Sequence, residues 1–186
     1  MDIERRLEIA GELIVRSKIL LDGWLLSAGA EGRAAHCTFW DEFWHYWRFN
    51  EHALLVTFVI HMASLFETRP DTVNLYKLWD HLRVQSGTEQ MQEEVSRLFL
   101  EAAPIAKGLT ILRSNVMAHR SARIEYSDAF KYASLTPDAM RRLTELSLAI
   151  VNLMRIHFGK HLLEFDEHAL NDLRAIASYP ERPDAV

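Results

Sequence analysis

Residues 95–120 read VSRLFLEAAPIAKGLTILRSNVMAHR, and the spacing of their apolar side chains decides the fold. Apolar residues recur there at alternating steps of three and four, which places them along one stripe of a helix. A stripe with this rhythm is typical of the seam between helices in a bundle. We therefore predict a long bundle helix from about Thr88 to His119, with a seam formed by Val95, Leu98, Ala102, Ile105, Leu109, Leu112 and Val116.

The rest of the chain has the pattern of further helices joined by short turns. Its 186 residues include only seven Gly and five Pro, which is too few turn signals for many short strands. We therefore expect an all-α, up-and-down bundle of about five helices. It forms a single domain, residues 1–178, followed by a frayed tail, residues 179–186. The other helices are predicted at about 2–26, 37–66, 72–82 and 136–163, with a short amphipathic piece at 167–177.

An aromatic stripe opens the second of these helices, and residues 53–65 of the same helix are apolar on nearly every face. Because a helix that is apolar all round is buried, we expect this helix to be central. The stripe is interpreted as core, although Phe39 and Trp40 near the helix start are candidates for a dimer face. Its members are Trp40, Phe43, Trp44 and Trp47.

The low cysteine content and the short apolar runs of the sequence indicate the cellular compartment. A single cysteine, Cys37, cannot form an intramolecular disulfide, and this favours a reducing cytosol. The longest apolar run, residues 53–60, is far shorter than the roughly 20 residues that a membrane span needs. The charged stretch Met1–Arg6 is typical of a helix start rather than of a signal peptide. We therefore expect a cytoplasmic protein with no membrane partner.

The distribution of charge points to one place where an anion would be attracted. The net charge of −5 argues against a protein that coats nucleic acid with its whole surface. Residues 102–124, however, contain no Asp or Glu and include Lys107, Arg113, Arg120 and Arg123. A basic island of this kind can attract a phosphate, although a solvated helix face that lacks carboxylates explains it equally well.

A polar motif, Arg113-Ser114-Asn115-Val116-Met117-Ala118-His119, closes the long helix. In this position, followed by a polar loop and another long helix, it resembles the R-x(4–6)-H signature of the HEPN superfamily of metal-independent ribonucleases and RNA-binding proteins. The order of elements over about residues 36–163 is similar to the abortive-infection branch. Many nuclease toxins of the superfamily carry Tyr two residues after the His, where this chain has Ser121.

The geometry of the motif on a helix bears on how such a site would be built. At about 100° per residue, Arg113 and His119 flank the apolar seam on opposite sides, so one protomer does not obviously direct both at one target. A two-fold dimer pairs each Arg with the partner's His in one cleft, which is the arrangement that the resemblance implies. Asn115 and His119, four residues apart, share a face.

The resemblance implies a homodimeric, metal-independent endoribonuclease, a toxin or phage-defence effector, with no cofactor and with RNA as substrate. The two His119 side chains would act as acid and base, since histidine ordinarily has a pKa of about 6.5. Arg113 would brace the phosphate, and Asn115 would orient the imidazole or hold a phosphate. An antitoxin protein is a candidate partner. RNA contacts independent of sequence are expected from Lys107, Ser114, Arg120 and Arg123.

Other interpretations stay open. Arg113 can pair with a carboxylate of a neighbouring helix, and His119 can cap carbonyls at a helix end. The bundle would then be catalytically silent and would bind RNA or a protein partner. A metal enzyme is suggested by Glu42 and His45, and by His157 and His161 with Glu164. A di-metal bundle needs a second Glu-x-x-His, which the sequence lacks, so no bound metal is expected.

Overall fold

Helices make up most of the computed structural model, which describes residues 2–29, 41–69, 72–114 and 128–177. No strand occurs within these ranges, and the all-α prediction is confirmed. Residues 178–186, which include the predicted tail, lie outside the described part of the chain. The helices are α1 (Ile3–Ala28), α2 (Trp44–Leu65), α3 (Leu75–Leu82), α4 (Glu89–Leu112), α5 (Ala129–Tyr132), α6 (Pro137–His157) and α7 (His168–Ala177).

Five of these helices correspond to the five predicted ones, and the two others are short. The predicted helices are α1, α2, α3, α4 and α6, whereas α7 is the predicted amphipathic piece and α5 lies in a predicted loop. Helix α6 ends at His157, earlier than the predicted 163. Gly159 adopts a left-handed φ of 62°, and Lys160 N–H donates to the Arg155 carbonyl (3.0 Å), which closes the helix in a Schellman-type turn.

Side-chain caps set the beginnings of three helices. Thr136 accepts a hydrogen bond from Ala139 N–H (3.1 Å), and Pro137 occupies the first turn of α6, as the sequence predicts. Asp2 caps α1 in the same way, through Arg5 N–H (2.7 Å). Helix α3 begins later than predicted because Asn74 caps it instead of a residue near 72.

Helix α1 lies at the centre of the bundle and packs against α2, α3, α6 and α7, while α4 packs against α2, α5 and α6. Contacts between particular residues show in which direction neighbouring helices run. Gly11 of α1 lies against Val151, and Glu8, earlier in α1, pairs with Lys160, which follows α6, so α1 runs antiparallel to α6. Arg142 pairs with Glu101 while Leu135 contacts Gly108, so α6 also runs antiparallel to α4.

The seam predicted on α4 forms the core of the bundle. Val95, Leu98, Ala102, Leu109 and Leu112 are buried, and Ile105 is partly buried and packed on the same cluster. Val116 lies outside the described residues.

The expectation that the second helix is central holds for only one half of α2. The side chains of Leu55, Phe58, Val59, Met62 and Leu65 are buried in the main core. The first turns of α2 are exposed instead, and that difference bears on the site described below.

Candidate functional site

Arg113, the first residue of the motif, stands at the C-terminal end of α4. Its backbone and that of Ser114 continue from the helix in a wider, π-type turn, a geometry that recurs at functional sites. Leu112, directly before it, is fully buried and fixes the end of the helix to the core. Arg113 therefore stands directly after Leu112, the last core residue of α4 that the structure describes.

The Arg113 guanidinium forms an ion pair with the carboxylate of Glu67. Glu67 follows the end of α2, where its backbone N–H donates to the Ser64 carbonyl (3.4 Å). The two side chains are 26% and 14% exposed, so the pair is well shielded from water on the Glu67 side. An ion pair between α4 and a neighbouring helix was one of the interpretations left open by the sequence. The ion pair fixes the guanidinium in place and neutralises part of its charge.

Two of the predicted RNA contacts, Lys107 and Ser114, are described, and both are exposed. Lys107 and Ser114 are seven residues apart, which places them within roughly 20° of each other around the helix, whereas Lys107 and Arg113 differ by about 120°. On regular α-helical geometry, Lys107 is therefore expected on the side of Ser114 rather than on the side of Arg113.

The other predicted site residues, Asn115, His119, Arg120 and Arg123, lie outside the described residues. Their roles, and the sharing of the site between two protomers, stay predictions. The described chain ends on one side of them at Ser114 and resumes on the other at Asp128.

Close packing fixes the chain on both sides of this segment. A Cβ atom built on Gly108 of α4 would lie 2.7 Å from the Ala133 carbonyl oxygen and 3.0 Å from two carbon atoms of Leu135. Only a residue without a side chain permits this approach, so Gly108 brings α4 and the chain after α5 together. This contact lies six residues before Ser114 and five residues after Asp128, the two points where the described chain stops and resumes.

A cleft of about 590 Å³ lies between α1, the first half of α2, and α5. Its walls combine aromatic rings with charged groups, and the rings of Trp24 and Phe130 stack on each other with their centroids 5.8 Å apart. The Arg48 guanidinium lies 5.6 Å from the centroid of the Trp44 ring. Flat apolar faces beside a cation are a surface on which an unpaired base can stack. The cleft is lined by Trp24, Trp44, Arg48, Glu51, His52, Leu55 and Phe130.

The interpretation of the aromatic stripe as core is wrong for two of its members. Phe43 and Trp44 are 44% and 47% exposed, whereas Trp47 is buried against Ala177 of α7. Trp44 and Trp47 lie on different faces of α2, and the face with Trp47 is the one that meets α7. Trp40 and Phe39 lie outside the described residues. The sequence did carry a signal for the cleft, since Arg48 four residues after Trp44 is a spacing that places both on one face.

The metal candidates from the sequence do not assemble into a site. Glu42 and His45 are exposed, and the His157 imidazole contacts the Gln85 side-chain oxygen at 3.3 Å. Within ranges 2–29, 41–69, 72–114 and 128–177, no three or more His, Cys, Asp or Glu side chains converge as metal ligands would. Nor does any helix in these ranges have the length and apolar character to cross a membrane.

Comparison with known proteins identifies the family of this chain. Searches among curated proteins and among solved structures found no match. The model of the HEPN family AbiU2 matches residues 41–176, which is most of the chain and includes α2 to α7 and the motif segment. The chain therefore belongs to the AbiU2 family of HEPN abortive-infection domains.

Proposed function

We propose that this protein is a metal-independent endoribonuclease that acts as a toxin or phage-defence effector, with an active site shared across a homodimer. The observation that carries the proposal is the Arg113–Glu67 ion pair, in a member of an abortive-infection family. It fixes the guanidinium of the motif at a helix end, beside the segment that holds His119. Arg113, His119 and Asn115 are the proposed catalytic residues, and RNA is the proposed substrate.

The proposed reaction is the transfer of an RNA phosphodiester to the neighbouring 2′-hydroxyl. One His119 removes the proton of the 2′-hydroxyl as the O2′–P bond forms. The protonated His119 of the second protomer gives its proton to the 5′-oxygen as the P–O5′ bond breaks. Arg113 stabilises the negative charge that develops on the phosphate oxygens. The products are a 2′,3′-cyclic phosphate and a 5′-hydroxyl end, and no metal ion takes part.

Glu67 is proposed to position Arg113 for this step. A guanidinium has five N–H donors in a fixed plane, and the contact with Glu67 is made through Nη1. The donors on its other edge can face a phosphate while Glu67 sets the plane. Replacing Glu67 by an uncharged residue would leave the Arg113 guanidinium in place as a cation, although it would be held less firmly. Glu67→Gln should therefore lower cleavage less than Arg113→Ala does.

The aromatic cleft favours unpaired RNA as the substrate. Trp44 presents nearly half of its surface to solvent beside a cation, which suits a stacked base. Lys107 and Ser114, together with Arg120 and Arg123, are proposed to contact the RNA backbone independently of sequence.

The test is cleavage of a mixed, end-labelled RNA in EDTA. Wild type is compared with Arg113→Ala, His119→Ala and Glu67→Gln, and Arg97→Ala is the matched control. Arg97 is an exposed arginine of α4 that pairs with Glu94 (2.6 Å), so it reports the loss of a surface guanidinium from the same helix. We expect loss of cleavage of about 100-fold or more for the first two variants and none for the control. Equal activity of wild type and His119→Ala would refute the mechanism.

The shared site has a test of its own. Specific activity is measured on dilution and compared with the dimer fraction from sedimentation velocity. If the active site needs both protomers, activity per protomer falls in proportion to the dimer. A monomer with constant specific activity would contradict the shared site. An antitoxin protein is a further proposed partner of a toxin of this kind, and the cytoplasm is the proposed compartment.

A second candidate function is a catalytically silent bundle that binds RNA or a protein. The same ion pair favours it, because a guanidinium already held by a carboxylate has less charge left for a phosphate. This candidate predicts RNA binding without turnover, and Arg113→Ala then changes affinity with no activity to lose. Binding measured by fluorescence anisotropy beside the cleavage assay separates the two functions.

A further inference from the structure

A small cavity of about 120 Å³ lies between the first turn of α1 and helix α3, away from the aromatic cleft. The volume exceeds the roughly 30 Å³ that one water molecule occupies in the liquid, so the cavity can hold a group of several non-hydrogen atoms. Apolar side chains form part of its wall, and polar and basic side chains form the rest. The lining residues are Ile3, Arg6, Thr72, Val73, Asn74, Lys77, Leu78 and His81.

All the side chains that line this cavity, among those that the structure describes, are basic or uncharged. Arg6, Lys77 and His81 are basic, and no carboxylate lines the cavity among the residues that the structure describes. The described carboxylates next along these helices are engaged elsewhere. Asp2 accepts from Arg5 N–H (2.7 Å), and Asp80 pairs with the Arg83 guanidinium (3.1 Å).

Arg6 lacks a partner for its charge. Its Nε–H is buried and has no hydrogen-bond partner, and within the described ranges its guanidinium forms no ion pair. Buried donors are nearly always satisfied, and an orphan of this kind points to a bound water or ion. Lys77 uses one of its three N–H donors for the Arg69 carbonyl (3.0 Å), and no carboxylate of the described residues forms an ion pair with it.

We infer that this cavity binds a phosphate-class oxyanion, held by Arg6 and Lys77 with His81 at its edge. A guanidinium and an ammonium together suit a tetrahedral oxyanion, since one offers a planar fork and the other a point charge. A cavity of this size can hold a phosphate group, but it is too small for a phosphodiester with a nucleoside on each side. The ligand is therefore inorganic phosphate or a phosphate monoester, such as the 5′-phosphate of an RNA end.

The cavity and the Arg113 site are joined by one short connection. Glu67, which holds Arg113, and Thr72, which lines the cavity, are five residues apart, so their Cα atoms are at most about 18 Å apart. A monoester bound in the cavity would therefore place an RNA end near the motif. Only the assignment of the ligand to an RNA end rests on the proposed function. The binding of inorganic phosphate does not depend on it.

The first experiment titrates inorganic phosphate into the full chain by isothermal calorimetry at constant ionic strength. Wild type is compared with Arg6→Gln and Lys77→Gln, and Arg5→Gln is the matched control because Arg5 is the adjacent exposed arginine, paired with Glu8 (3.3 Å). We expect saturable binding that weakens about tenfold or more in each cavity variant and not in the control. Lys77→Gln keeps the test valid if Arg6→Gln does not fold. No saturable binding, or equal weakening in the control, would overturn the inference.

The second experiment identifies the source of the phosphate. A short oligoribonucleotide with a 5′-phosphate is compared with the same oligonucleotide bearing a 5′-hydroxyl. All proteins carry His119→Ala so that the RNA stays intact, and they differ in having no further change, Arg6→Gln or Arg113→Gln. Tighter binding of the phosphorylated form that disappears in Arg6→Gln but persists in Arg113→Gln supports an RNA end. Equal binding of both forms by a protein that binds inorganic phosphate supports the free anion. A protein that binds phosphate but cleaves no RNA keeps this inference and removes the proposed nuclease.

Discussion

Replacing Gly108 by alanine tests the close packing of α4 against the chain that follows α5. Inside a helix, Gly→Ala ordinarily raises the free energy of unfolding by about 1 kcal/mol, because glycine has the larger conformational entropy to lose. Here the new Cβ would lie 2.7 Å from the Ala133 carbonyl oxygen and 3.0 Å from Leu135 carbon atoms. The carbonyl belongs to the backbone, so it cannot rotate away as the end of a flexible side chain would.

The two effects oppose each other, and their magnitudes decide the sign. Forcing an extra methyl group into packed structure costs about 1–3 kcal/mol, against the gain of about 1 kcal/mol. We therefore expect Gly108→Ala to lower the free energy of unfolding by about 1 kcal/mol, within a range of about 0–2. For a chain of this length, that is a fall in melting temperature of roughly 2–4 °C.

Urea unfolding followed by far-UV circular dichroism measures this effect, and Gly23→Ala is the matched control. Gly23 also lies inside a helix, but a Cβ there would meet only methyl ends of Leu54 and Leu173, at 3.3 and 3.4 Å. The control should be neutral or stabilising by up to about 1 kcal/mol. If Gly108→Ala is as stabilising as Gly23→Ala, the close approach of α4 to Ala133 is refuted.

Three further predictions concern a cap, a half-buried histidine and the aromatic cleft. Thr136→Ala removes the acceptor of the Ala139 N–H bond and should lower the free energy of unfolding by about 1 kcal/mol in urea, whereas Thr136→Ser should largely retain it. Burial lowers the pKa of His61, so the unfolded chain binds more protons and stability should fall as the pH drops below about 6.5. His61→Gln should flatten that fall in melting temperature between about pH 5 and 7, and an unchanged slope, or the same flattening in the exposed His168→Gln, would contradict it. Trp44→Ala should weaken binding of unstructured RNA roughly 5- to 100-fold by anisotropy, while an unaltered affinity would exclude stacking in the cleft.

Local rules made much of the fold predictable. The three-and-four spacing on α4 is a local property of the chain, and five of the seven side chains that it marks are buried. The beginning of α6 follows from Thr136 and Pro137 alone, since a cap satisfies a backbone N–H three residues away. Helix ends were less predictable, because apolar residues continue past His157 and only the left-handed turn at Gly159 ends α6.

The candidate site also combines features that the sequence predicts with features that only the packing of helices decides. The sequence by itself determined that Arg113 closes a bundle helix in a motif of the HEPN type, because helical periodicity and motif spacing are written in consecutive residues. Only the tertiary structure decided that Glu67 pairs with Arg113, since those residues are 46 positions apart and no local rule relates them. It likewise decided that Trp44 faces a cleft rather than the core, and that Arg6 and Lys77 line the same cavity. Side chains from separate helices become neighbours only when the helices pack, and the packing follows from the whole core rather than from any one segment.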